Sequence, residues 1–82
     1  MQLDILTPEK KIFSGQAESV SLPGTDGRFQ VLNNHAPIIS SLQKGLVKVI
    51  SNAQETKWNI TGGLVEVLKN KVTVLVEGVV QE

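Results

Sequence analysis

The sequence predicts an all-β fold, a two-sheet antiparallel sandwich or flattened barrel of about eight to ten short strands. Apolar residues recur with period two, turn-forming residues interrupt them at close intervals, and no helical period is sustained for as much as about ten residues. All 82 residues read as one domain, 1–82. At that length only about 60 to 65% of the unfolded chain's surface can be buried, so the core is thin.

Taken in order, Leu3 and Ile5, then Ile12, then Val20 and Leu22, then Phe29 and Val31 supply short strands. Thr7-Pro8, Ser14-Gly15 and Pro23-Gly24 separate them. Pro23-Gly24 and Asp26-Gly27 are strong turn dipeptides, because glycine takes φ > 0 freely and aspartate can bond its own backbone. Asn33-Asn34 suits the left-handed conformation, and Pro37 fixes its own φ while pushing Ala36 towards extended geometry, so a rigid corner follows the strand at Phe29–Val31. Val47 and Val49 alternate with Leu46, Lys48 and Ile50, and Trp58 and Ile60 alternate with Lys57, Asn59 and Thr61. These runs form a hairpin with Ser51-Asn52-Ala53-Gln54-Glu55 as its polar connection. Val65 and Val67, then Val72, Val74 and Val76, form a second and tighter hairpin, since only Lys69-Asn70 separates them and Asn70 supplies a left-handed position.

The opposite face of that second hairpin is unusual. Leu64, Leu68 and Leu75 stand there beside Glu66 and Thr73, where a solvated strand alternates to polar residues. Two readings stand: another surface covers these leucines, or strand twist turns some of them inward.

Composition excludes several classes of function. Formal net charge is zero and the charges are mixed along the chain, which leaves no electrostatic footprint for nucleic acid or an anionic membrane. There is no cysteine, hence no disulfide framework, thiolate metal site or cysteine nucleophile. Met1-Gln2-Leu3-Asp4-Ile5 carries an acid where a signal peptide needs an unbroken apolar run, and no run approaches the ~20 residues of a membrane span. No direct membrane insertion is expected.

His35 is the sole histidine and has no local His, Cys or carboxylate cluster, so it reads as a turn residue whose ring bonds a backbone carbonyl or a partner. Gly24-Thr25-Asp26-Gly27 lacks the Lys-Ser/Thr of a phosphate loop and a following helix, so it reads as a hairpin turn and no nucleotide is expected. Gly62-Gly63 marks a bulge or close backbone approach, and Trp58 reads as core in preference to an interface anchor. Glu18, Glu55, Glu66 and Glu77 are scattered, with no acid–base pair suggested. No catalytic, cofactor or metal site emerges, and the chain reads as a binding module.

An ordered set of segments gives this reading a family. Thr25-Asp26-Gly27, Phe29-Gln30-Val31-Leu32, His35-Ala36-Pro37, Lys44-Gly45-Leu46-Val47 and Gly62-Gly63-Leu64-Val65-Glu66-Val67 follow one another between an opening Leu3-Asp4-Ile5 and Phe13-Ser14-Gly15 and a closing Val72-Thr73-Val74-Leu75. Along essentially the whole chain this order resembles the epsilon subunit of F-type ATP synthases. The resemblance implies a two-sheet sandwich, a non-catalytic place in the central stalk, and support of coupling between proton transport and ATP synthesis. It implies two partners: the gamma subunit, met by His35 and the outer leucines Leu64, Leu68 and Leu75, and the polar loops of the c-ring, met by the turn at Asp26, Gly27 and Arg28. Arg28 stands where well-known relatives carry an acidic residue, so charge pairing with the ring falls to Asp26, or to Arg28 against a carboxylate or carbonyl. The location implied is the cytoplasmic face of the bacterial inner membrane, peripheral, within the synthase. Many relatives continue into a C-terminal helical hairpin, whereas this sequence stops at Val79-Val80-Gln81-Glu82, the expectation for a short form. Two rivals are a small ligand-binding barrel using His35 and Asp26, and an unrelated self-associating sandwich.

Overall fold

A computed structural model describes residues 1–80 of the chain. The strands are β1 (Gln2–Leu6), β2 (Lys11–Gln16), β3 (Ser19–Gly24), β4 (Gly27–Leu32), β5 (Ile38–Leu42), β6 (Gly45–Ser51), β7 (Gln54–Ile60), β8 (Gly63–Leu68), β9 (Lys71–Val76) and β10 (Val79–Val80). They are laid out as two layers. One runs β4-β3-β6-β7-β10, the other β5-β8-β9-β1-β2. The layers are continuous at one corner, where β3 leaves β6 and makes a single bridge to β5, Gly24↔Leu42. The predicted sandwich is therefore observed, with its strands joined into one hydrogen-bonded system of 10 strands.

Strand alternation assigns the core. From the second layer Leu3, Ile5, Val65, Val67, Val72, Val74 and Val76 turn inward; from the first come Val20, Leu22, Val31, Val47, Val49 and Ile60, all of them buried. Register explains how these meet, for Val67, Val72 and Leu3 lie side by side across β8, β9 and β1, as do Val65, Val74 and Ile5. β1 and β9 pair in parallel, the other ladders being antiparallel. Trp58 is half-buried against the core and meets Phe13 edge-to-face, with ring centroids 5.9 Å apart at 66°.

Both expected hairpins form. Lys69 (φ 50°) and Asn70 (φ 59°) are left-handed, as a two-residue turn that matches strand twist requires. The β6–β7 connection is shorter than its polarity suggests. It consists of Asn52 (φ 53°) and Ala53 (φ 61°) alone, because Ser51, Gln54 and Glu55 belong to the strands. Two strands were not anticipated at all. β5 reads Ile-Ile-Ser-Ser-Leu, a sequence without clean alternation, and β10 is a short pairing of Val79 and Val80 with Ile60 and Asn59. The corner after β4 also differs in detail: Asn34 is left-handed (φ 64°), while Asn33 spends its side-chain oxygen on the Met1 ammonium, which also donates to the Ala17 carbonyl at 3.1 Å.

Gly63 marks a close backbone approach, as expected. A Cβ there would sit 2.1 Å from the Leu75 carbonyl oxygen, so only glycine lets β8 close on β9 at that point.

Candidate docking surfaces

The two outward faces of the sandwich differ in chemistry. On the first layer Glu55 lies between Lys48 and Lys57, with N–O distances of 3.5 and 3.3 Å, and the Lys57 hydrogen bond, ahead of the charges of both lysines, holds its carboxyl below the ordinary range. That face also exposes Leu32, at 53%, in one row with Ser19 and Ile50. The second layer carries a row in which Ser41, Leu64, Leu75 and Leu6 are successive register partners across β5, β8, β9 and β1. Leu64 is 40% and Leu75 48% exposed, and Ile39, at 70%, stands in the next row beside Glu66. The outer leucines are thus not turned into the core. Across the rest of this face Asp4 accepts from Ser14 Oγ at 2.6 Å and from Gln2 Nε2 at 3.2 Å; the Ser14 bond in particular holds the Asp4 carboxyl below its usual value.

The residues expected to face gamma do not gather at one point. Leu64 and Leu75 form a cross-strand pair. Leu68, 49% exposed, is four residues along β8, roughly 13 Å away at strand rise, opposite Lys71. His35 belongs to that other end. Its corner is tied there by the Asn34 amide, which donates to Asn70 Oδ1 at 2.8 Å, and Pro37 lines a shallow groove with Ile38, Ile39 and Leu68. The His35 ring is half-buried and donates from Nδ1 to the Ala36 carbonyl at 2.7 Å, since a carbonyl can only accept. The expected turn role is what the geometry shows. His35 and Asp26 lie at opposite ends of β5, which removes the shared pocket that a ligand-binding barrel needed.

The β3–β4 turn, Thr25-Asp26, is exposed at the Leu64 end. It is anchored to β5: the Thr25 amide donates to the Ser41 carbonyl at 3.1 Å, and the Thr25 and Ser41 hydroxyls share a 3.0 Å hydrogen bond. Gly24 is required here, because a Cβ would meet the Gly27 carbonyl oxygen at 2.7 Å and the Phe29 ring at 2.8 Å. Arg28 is exposed yet not free. Its Nη1 donates to the Leu46 carbonyl at 2.7 Å and its Nη2 to Ser21 Oγ at 2.8 Å. No motif announced these partners, which are 18 and 7 residues away in sequence.

Residues 1–82 match the sequence profile of the family described as the ATP synthase delta/epsilon chain β-sandwich domain. The chain belongs to that family. It is 44% identical over 79 residues to the ATP synthase epsilon chain of Chlorobium limicola, covering 95% of this chain and 90% of that one. With the epsilon chain of Chlorobaculum tepidum the figures are 46% over 78 residues, 94% and 89%. The epsilon chain of Pelotomaculum thermopropionicum is 45% identical over 74 residues, and there the match spans 55% of the relative. Among solved structures, a chain of the Euglena gracilis mitochondrial ATP synthase OSCP/F1/c-ring assembly superposes with a TM-score of 0.89 at 18% identity, over 95% of this chain and 51% of that one. A chain of the Tetrahymena thermophila mitochondrial central stalk/c-ring structure gives 0.84 at 16% identity, over 98% and 65%. These likenesses establish the delta/epsilon sandwich fold. On that fold this chain carries a leucine row on the second layer, a Lys48–Glu55–Lys57 ion-paired group on the first, and an arginine turned back onto its own backbone.

Among the described residues no cluster of His, Cys, Asp or Glu is arranged to hold a metal, and no helix is long and apolar enough to cross a membrane. Glu18, which sequence spacing left without a partner, accepts from the Asn52 amide at 3.1 Å and so braces the β6–β7 turn.

Proposed function

We propose that this chain is an epsilon-type subunit of the ATP synthase central stalk, lashing the gamma subunit to the c-ring so that rotation driven by proton transport reaches the catalytic head without slip. The observation that carries this reading is the contiguous row Leu6–Leu75–Leu64 on the outside of the second layer. A domain of this family that exposes two leucines as a cross-strand pair, with a third beside them, presents a covered surface in its assembly. Gamma is the proposed cover, reached chiefly through Leu64 and Leu75, with Leu68 and the His35 corner as a second contact farther along the same layer. Asp26, at the exposed turn, faces the polar loops of the c-ring. The subunit is non-catalytic and needs no cofactor; it holds partners in register, and peripheral attachment to the membrane, on the cytoplasmic face in a bacterium, follows from those partners.

The test is capture of detergent-solubilised gamma and c-ring by the tagged chain across 0.1 to 1 M salt. Wild type should retain both partners at low salt. Asp26→Lys should lose the ring and keep gamma, because the ring contact uses an exposed charge whose reach shrinks as the Debye length falls from about 10 to 3 Å, while the apolar contact is insensitive. Self-association without capture of gamma would establish the rival, an unrelated oligomerising sandwich.

A further inference from the structure

Where β3 runs beside β6, the register is Ser19↔Ile50, Val20↔Val49 and Ser21↔Lys48, and then pairing stops. Continued along the same ladder, it would set Pro23 opposite Leu46. Proline has no N–H to offer, so the ladder cannot be extended by a bond from Pro23 to that strand. The chain uses the interruption to change layers: β3 crosses to β5 at Gly24↔Leu42. β3 and β6 nevertheless stay in contact at this point, for a Cβ on Gly45 would lie 2.8 Å from Pro23 Cβ.

Arg28 is the cross-strand partner of Pro23 on β4. From there its guanidinium reaches over β3, Nη1 to the Leu46 carbonyl at 2.7 Å and Nη2 to the Ser21 hydroxyl at 2.8 Å. It thereby supplies a donor on the side where Pro23 has none. The other flank of the turn is held by β5 and the residue after it. The Gln43 amide donates to the Pro23 carbonyl at 2.9 Å, Gln43 Nε2 to the Gly24 carbonyl at 3.0 Å, and the Thr25 amide to the Ser41 carbonyl at 3.1 Å. On its inner edge β3 loses β6 after Ser21 and gains β5 only at Gly24, which leaves a gap at Leu22 and Pro23, while β4 stays paired through Gly24↔Gly27. Arg28, through Leu46 and Ser21, and Gln43, through the Pro23 and Gly24 carbonyls, both span that gap.

We propose that Arg28 is a positioning residue, which fixes the Thr25-Asp26 turn against the first layer of the sandwich and does not itself bind the ring. The inference rests on the ring-facing role proposed for the turn. It also reassigns the charge: the fork of the guanidinium matches a carbonyl and a hydroxyl of its own chain, so the carboxylate of Asp26 is the charge the turn presents. A lysine, with a single ammonium in place of a rigid fork, would not hold both acceptors in the same geometry.

The experiment uses the full chain with Arg28→Met, which keeps most of the alkyl stem, and Ser21→Ala, which removes one acceptor. Amide hydrogen exchange at Thr25 should quicken about tenfold or more in Arg28→Met and by less in Ser21→Ala, with exchange at Val65 and Val74 unchanged. Ring capture should fall several-fold in the same order and keep its salt dependence, because Asp26 is intact; gamma capture should not move. Unchanged Thr25 exchange in both variants overturns the proposal. So does a fall in ring capture that removes the salt dependence and spares Ser21→Ala, the behaviour of an arginine that touches the ring directly. If Arg28→Met fails to fold, Ser21→Ala alone decides by the same criteria. A wild-type chain that captures no ring refutes the role proposed for the turn, while the exchange measurement still decides whether Arg28 holds it.

Discussion

Leu64 and Leu75 oppose one another across β8 and β9 on the outer side of the second layer, 40% and 48% exposed, with Leu6 beside Leu75 on the parallel neighbour β1. Directly behind them Val65, Val74 and Val76 are buried. The same hairpin therefore serves two surfaces, a core that holds the domain together and an outer row that is free for a partner, and the two can be separated by mutation.

Leu75→Asp is expected to leave the isolated chain folded, shifting stability by no more than about 1 kcal/mol, because the side chain is half in water already. Binding to gamma should weaken tenfold or more, since the carboxylate would be buried without a counter-charge. Circular dichroism melting and a gamma titration check the two halves, and a variant that unfolds outright would place Leu75 in the core.

Gly63→Ala has the opposite signature. Its Cβ would fall 2.1 Å from the Leu75 carbonyl oxygen, a backbone atom that cannot step aside without parting β8 from β9. A loss of about 1–3 kcal/mol, typical of overpacking, is expected in urea denaturation, together with faster exchange along β8 and β9.

These two cases show what was legible in the sequence. The valines of β8 and β9 alternate so regularly that the hairpin, its turn and its faces follow from period two and a two-residue gap, and Gly62-Gly63 signals tight approach. The β6–β7 loop is shorter than its polarity suggests because Ser51 and Gln54 pair at the end of the ladder, beyond the buried Val47 and Val49, and Glu55 lies on the outer face. Ala53 at φ 61° is imposed by strand twist and carries no signal of its own. β5 was missed because Ile39 faces outward at 70% exposure, which breaks the alternation a lone strand would show. At the sites, the exposed turn could be read from pattern, whereas the pattern left open whether the leucines face out, which the exposures of Leu64, Leu68 and Leu75 decide. Arg28's partners could not, because Leu46 comes within reach only after β3 and β6 have paired.

The β8–β9 turn gives a third prediction. Asn70 is left-handed and its side chain accepts the Asn34 amide at 2.8 Å, so Asn70→Ala loses both conformational tolerance and the tie to the His35 corner. A destabilisation of roughly 1–2 kcal/mol is expected from the backbone alone. Asn70→Gly, which tolerates the conformation, should recover most of the stability but not the protection of the Asn34 amide from exchange.

Acid response supplies the fourth. Asp4 is held below its ordinary value of 3.8, first by the Ser14 hydroxyl, with further help from Gln2, Lys71 and Lys11 against the cost of burial. A depressed carboxyl stabilises the fold at pH values above its unfolded pKa and loses that contribution as pH falls through the folded value. Ser14→Ala should therefore be less stable than wild type at pH 7, with the gap shrinking steadily below pH 3.8. Paired urea titrations from pH 7 to about pH 2 measure it, and a gap that stays constant through acid would remove the carboxylate from the account.

The parallel pairing of β1 with β9 bears on how the domain is made. Gln2 is matched with Lys71 and Leu6 with Leu75, so β1, which has the adjacent β2 on one edge, finds the partner for its other edge some 70 residues along the chain. Leu3 and Ile5 must wait, unburied on one side, while the hairpins β3–β4, β6–β7 and β8–β9 can close locally as they emerge. One edge of β1 therefore stays open, and the core short of two of its largest side chains, until residues 71–76 can reach it.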